Sequence, residues 1–141
     1  MNLYFDSSAL LKRYLNEKGD VAARKLFDDS DKIFVSTISH IECASSFQRL
    51  LQTKFIDKKE YQRLNTELAI DFPFFQIIHF DEDIKYIALK VLEKYTLKAL
   101  DSIQLASLIY VAEEVESFVV CDNKLKKCAK EEGFKIIDPT E

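Results

Sequence analysis

The 141-residue chain has the length of one domain, enough to bury roughly 68–70% of the surface that its unfolded form exposes. Its 48% apolar and 31% charged residues describe an ordinary globule, and a net charge of −4 argues against a broadly basic nucleic-acid binder. With only Gly19 and Gly133 available, neither a Walker loop nor a dinucleotide fingerprint can be written, and no segment approaches the ~18–20 apolar residues of a membrane span. Three cysteines, Cys43, Cys121 and Cys128, have no metal-type spacing and read as free thiols. Asp6 interrupts any leader-like apolar run, so a cytoplasmic location is expected.

Asn2 to Phe5 reads as a short buried strand that Asp6 ends. Ser7 to about Asn16 is helical in pattern, with Leu10, Leu11, Tyr14 and Leu15 on one face. Gly19 breaks the chain before a helix over Val21 to Phe27 and the solvated turn Asp28 to Asp31. Ile33 to Val35 is a second strand, and the cap candidates Ser36 to Ser39 precede a helix to Lys54. Another helix starts at Asp57 and is closed by Pro73. Gln76 to Phe80 is a third strand, followed by a helix over Ile84 to Tyr95 whose first turn is acidic. Lys98 to Glu114 is the most strongly helical segment. Ser117 to Cys121 is a fourth strand, Asp122 to Glu132 a helix closed by Gly133, and Lys135 to Ile137 a last strand. The strands are apolar runs without strict alternation, which predicts a mostly parallel sheet of about five strands between two helical layers. One three-layer α/β/α domain over residues 1–141 is the expectation.

Four carboxylates stand out against that background. Asp6 and Asp122 each follow an apolar strand and precede a helix, the crevice side of an open α/β sheet and equally a favoured N-cap position. Asp101 shares a helical line with Leu105, Leu108 and Ala112, where an ionised group costs several kcal/mol unless it is paired or binds a cation. The alternative for Asp101 is a first-turn cap. Glu42 lies near the start of its helix, above Ser45 and Ser46, and is either part of a crevice or of a plain polar face. A crevice of carboxylates calls for a hard divalent cation.

Four segments in this order resemble PIN-domain ribonucleases of the VapC-like toxin class from type II toxin–antitoxin pairs. They are Leu3–Leu10 around Asp6, Ser39–Glu42, Leu97–Ala106 around Asp101, and Phe118–Leu125 around Asp122, and the likeness runs from residue 2 to Pro139. The resemblance implies an endoribonuclease that uses Mg²⁺ or Mn²⁺ and leaves a 5′-phosphate. It implies catalytic roles for Asp6, Glu42, Asp101 and Asp122, with Asp6, Asp101 and Asp122 as metal ligands. It also implies a tRNA or rRNA substrate, a cognate antitoxin and a homodimer. Ser7, Lys12 and Arg13 are expected at the substrate, as are Arg49, Lys98 and Lys124, although each of these side chains also fits a helix cap or a solvated face. The aromatics Phe55, Tyr61, Phe72, Phe74 and Phe75 serve either the core or a partner surface.

Two departures from the family pattern carry expectations of their own. Gln104 stands where His is frequent, which predicts altered substrate contacts. Val120 stands where Ser or Thr is frequent, which removes a hydroxyl near the metal site. The rival reading within the fold is a PIN-like module that binds RNA or protein without cleaving. A haloacid dehalogenase-type phosphatase would need a second Asp two residues after Asp6, where Ser8 stands instead.

Overall fold

The computed structural model describes residues Met1–Glu141. Strand β1 (Asn2–Phe5) is central, flanked by β2 (Lys32–Ser36) on one side and β4 (Ser117–Val119) on the other. Strand β3 (Gln76–Ile78) forms the edge beside β2, and β5 (Ile136–Ile137) the edge beside β4. All four pairings are parallel, with Leu3 facing both Ile33 and Ser117.

Alternation along each strand divides the apolar residues between two cores. Leu3, Phe5, Ile33, Val35 and Val119 face one layer, and pack there against Ala9, Leu10, Cys43, Phe47, Leu64 and Leu68. Tyr4, Phe34, Phe118 and Val120 face the other, against Ile84, Val91, Leu105, Leu108 and Leu125. A sheet buried on both faces needs apolar residues at both parities, which is why its strands read as unbroken runs. The first layer comprises α1 (Ser7–Leu10), α2 (Asp20–Asp29), α3 (Thr37–Gln52) and α4 (Lys58–Asp71), and the second α5 (Glu82–Lys94), α6 (Ala99–Tyr110) and α7 (Asn123–Glu131). The three-layer α/β/α architecture expected from the sequence is therefore present, with a wholly parallel sheet. No helix is long and apolar enough to cross a membrane.

Several boundaries differ from expectation for identifiable reasons. The first helix makes a single turn and tightens into a 3-10 turn over Leu11–Arg13 instead of reaching Asn16. Tyr14 is held there by tertiary contacts: its hydroxyl donates to Asp71 Oδ2 at 2.8 Å and its ring meets Phe47 edge-on. Helix α3 starts two residues early because Ser36 Oγ accepts from the Ile38 N–H at 3.3 Å. Helix α6 stops at Tyr110, which leaves Ala112 exposed and off the buried stripe. Among the aromatics, Phe72 and Phe75 are buried, whereas Phe55 and Phe74 are 80% and 83% exposed.

Gly19 caps α2 at φ 88°, and a Cβ there would lie 2.8 Å from the Pro139 carbonyl oxygen. Left-handed backbone and a backbone clash act together at this position. Gly19→Ala is expected to destabilise the fold by about 1–3 kcal/mol, read as a lower urea midpoint. An unchanged midpoint would show that the C-terminal tail yields freely.

Candidate active site

Strands β1 and β4 run side by side and lead into α1 and α7, so the residues just beyond them lie together at the carboxyl edge of the sheet. Crossovers leave β1 toward β2 and return through β4, the arrangement that opens a crevice in α/β sheets. A cleft of about 360 Å³ lies there, lined by Asp6, Ser7, Ser8, Glu42, Asp101 and Asp122, with Arg49 as its cation.

Asp6 is 5% exposed and caps α1. Its Oδ2 accepts from the Ser8 N–H at 3.2 Å and the Ser8 hydroxyl at 2.5 Å. Ser8 Oγ in turn accepts from the Cys121 N–H at 3.1 Å, and the Asp6 N–H donates to the Val119 carbonyl at 3.0 Å. The exits of β1 and β4 are thus stitched together around one carboxylate. Burial pushes the Asp6 carboxyl up to about 6; the Ser8 donors oppose the rise and the Glu42 charge adds to it.

Asp122 caps α7 through Oδ1, which accepts from the Leu125 N–H at 2.8 Å, and its side chain is exposed. Asp6 and Asp122 are therefore helix caps and cleft residues at once, and each keeps its second oxygen unbonded to protein. Asp101 differs from both. It sits in the first turn of α6, it is half-buried, and no protein group donates to its carboxylate. Burial raises its carboxyl above the ordinary range, and the negative charges of Asp122 and Glu42 raise it further against Lys98 and Lys124. The capping role that would have accounted for Asp101 is absent.

Glu42 extends from the second turn of α3. Its Oε1 accepts from the Ser7 hydroxyl at 2.7 Å and from Gln104 Nε2 at 3.0 Å. The Gln104 amide also donates to Ser7 Oγ at 3.0 Å and Ser39 Oγ at 2.9 Å, while its Oε1 accepts from the Tyr4 hydroxyl at 2.8 Å.

The other expected residues take three different places in this geometry. Ser7 lines the cleft, but its proton goes to Glu42, so it braces an acid instead of offering a free donor to substrate. Lys12 and Arg13 do not line the cleft, and their charges are taken up elsewhere. Lys12 is buried and donates to Glu17 Oε1 at 3.0 Å and the Lys18 carbonyl at 2.7 Å. Arg13 donates to Asp71 Oδ2 at 3.1 Å and stacks 4.0 Å over Phe27, beside a separate cleft of about 850 Å³. Finally, Gln104 is fully buried, so its difference from the family pattern acts inside the protein and not on substrate; Val120 is likewise buried in the core. The sequence reading singled out Gln104 for substrate contacts and Ser39 as a helix cap; it missed Tyr4 and the joining of all three to Glu42. The available signal was a polar residue among Leu105, Ala106 and Leu108 on the most apolar helix.

The donor set is four carboxylates lining one open cleft, all hard oxygen ligands. No three of them converge closely enough to enclose a metal ion between them. Mg²⁺ retains several waters and takes one or two protein carboxylates, so pairs within this set are the donors that could hold it. Relief of the repulsion that lifts Asp101 is what a divalent ion would supply.

Fold and site together define an α/β protein with an acid-lined crevice at a topological switch point. The sequence model of the PIN domain family matches residues 3–131, and the chain belongs to that family. No curated protein matches it. Solved structures share the fold at low identity. FitAcB from Neisseria gonorrhoeae is 17% identical over 97% of both chains, with a TM-score of 0.71. A toxin–antitoxin complex from Klebsiella pneumoniae is 16% identical over 99% of this chain and 98% of that one, with a TM-score of 0.68. VapC20 from Mycobacterium tuberculosis, described as a sarcin-ricin loop cleaving toxin, is 13% identical over 94% of this chain and 95% of its own, with a TM-score of 0.66.

Proposed function

We propose that this PIN domain is a divalent-cation-dependent endoribonuclease that acts as the toxin of a toxin–antitoxin pair. The observation that carries the reading is Asp101: an unpartnered, half-buried carboxylate facing further acids across a cleft. Such a group is costly to the fold and is retained where it serves chemistry. The kinship in fold with FitAcB, VapC20 and the Klebsiella complex supports the toxin assignment.

In this reading Asp6, Asp101 and Asp122 would hold the ion, Mg²⁺ or Mn²⁺. The ion supplies Lewis acidity toward the scissile phosphate. Asp6 is held by Ser8 so that its second oxygen stays presented to the cleft. Glu42, fixed through Oε1, has Oε2 free to take the proton of the attacking water. Arg49, whose guanidinium donates to Ser45 and Ser46 at 2.9 Å, meets a phosphate at the rim. The substrate is tRNA or rRNA, and a cognate antitoxin and a second copy of the chain complete the assembly. The exposed Phe55 and Phe74 are partner-contact candidates.

The deciding experiment is cleavage of pooled tRNA and rRNA by purified protein with Mn²⁺, with Mg²⁺ and with EDTA. Metal-dependent cleavage is expected; a folded, metal-supplied, antitoxin-free protein that cuts nothing would favour the non-cleaving module. The rim contact has its own test. Arg49→Ala should lower the salt slope of RNA binding by about 0.7–0.9, whereas Lys12→Ala and Arg13→Ala should leave it unchanged. Equal slopes for all three variants would remove Arg49 from the interface.

A further inference from the structure

We propose that Gln104 is a positioning residue that holds Glu42 in place at the cleft, with Tyr4 fixing the sense of its amide; the inference rests on the nuclease reading above. Gln104 is fully buried, and all of its hydrogen bonds go to one end or the other of this arrangement. The orientation of the amide is determined by chemistry. An ionised Glu42 only accepts, so the amide nitrogen must face it, together with the hydroxyls of Ser7 and Ser39. The carbonyl oxygen then faces Tyr4, whose phenol must donate to it. A turned amide would set its oxygen against the carboxylate and its N–H₂ against the phenol.

The consequence is a one-way chain of donors from Tyr4, through Gln104, to Glu42 Oε1. Ser7 closes a short ring: it accepts from Gln104 and donates to the same Glu42 oxygen. Two donors on Oε1 leave Oε2 as the free oxygen of Glu42, which is the atom the mechanism needs at the cleft. Ser7 lies on α1 in one layer and Gln104 on α6 in the other, so the carboxylate on α3 is fixed by elements from both sides of the sheet. The amide has no ionisation in the working range of pH, so this brace keeps its polarity when nearby carboxylates titrate.

The test combines kinetics with a readout that needs no turnover. Partner groups behind a functional side chain typically cost 10–100-fold in activity when removed. Gln104→Leu is expected to lower kcat by roughly 10–100-fold while KM for RNA stays within about twofold. Gln104→His, which can accept from Tyr4 and donate to Glu42, should restore most of the loss. In a Glu42→Gln background Gln104→Leu should cost almost nothing more, because the two act as one unit. In parallel, the side-chain carboxyl ¹³C resonance of Glu42, identified by its loss in Glu42→Gln, should move in Gln104→Leu while backbone signals of the sheet stay in place. An unmoved resonance overturns the proposal, as does full additivity of the two substitutions. If the wild type cleaves nothing, the nuclease reading fails, and the Glu42 resonance still decides whether Gln104 positions it.

Discussion

Asp101→Asn is expected to abolish metal-dependent RNA cleavage, lowering the rate by at least two to three orders of magnitude, the scale of removing a preorganised charge from a developing one. The swap is nearly isosteric, so it opens no cavity, and Asp101 accepts no protein hydrogen bond that the amide would break. The same variant should be at least as heat-stable as the wild type without metal, because burial and the charges of Asp122 and Glu42 act against the ionised form. Loss of activity with stability kept would locate the defect in chemistry. Cleavage close to the wild-type rate would remove Asp101 from the mechanism and, with it, the observation on which the nuclease assignment rests.

Asp6→Asn gives the second large effect, and here stability is the informative quantity. The Asp6 carboxyl is raised from about 3.8 to about 6 in the folded protein, so the fold binds a proton that the unfolded chain has already released. Stability from this group is complete below the unfolded value and is lost as pH rises through about 6. A rise of that size corresponds to about 3 kcal/mol at pH 8. Asparagine retains an acceptor for the Ser8 N–H and hydroxyl but carries no charge. Metal-free Asp6→Asn should therefore melt roughly 5–10 °C above the wild type at pH 8, with the difference vanishing near pH 4. Mg²⁺ or Mn²⁺ should narrow the gap by stabilising the wild type alone. A variant that melts lower at pH 8 would mean that the cap, and not the buried charge, dominates at this residue.

The parts of the molecule that could be read from sequence are those where local chemistry and global position coincide. Asp6 and Asp122 end buried strands and begin helices, so the same residue types that cap α1 and α7 also mark the crevice edge. Asp101 was conspicuous because an acid on the apolar helix α6 has no cheap explanation. Lys12 and Arg13 lie off the cleft: one turn of α-helix gives way to a 3-10 turn at Leu11, and both charges are taken up by Glu17, the Lys18 carbonyl and Asp71. Nothing local signals it; the cause is the anchoring of Tyr14 to Asp71, 57 positions away. The brace around Gln104 was hidden for the same reason. Its partners lie 62 to 100 positions distant, and a lone glutamine in an apolar helix looks alike whether it faces a ligand or another side chain.

Strand β1 sits at the centre of the sheet, between one neighbour that is near in sequence and one that is remote. It gains its neighbour β4 only when residues past 116 fold back beside it, and Asp122 arrives with them. Until then Asp6 has no stitch to Cys121 and no opposing acid at the β4 side. Contacts of such long sequence separation close late and slowly. The acids of the cleft therefore come together only when the most remote pairing of the sheet has closed.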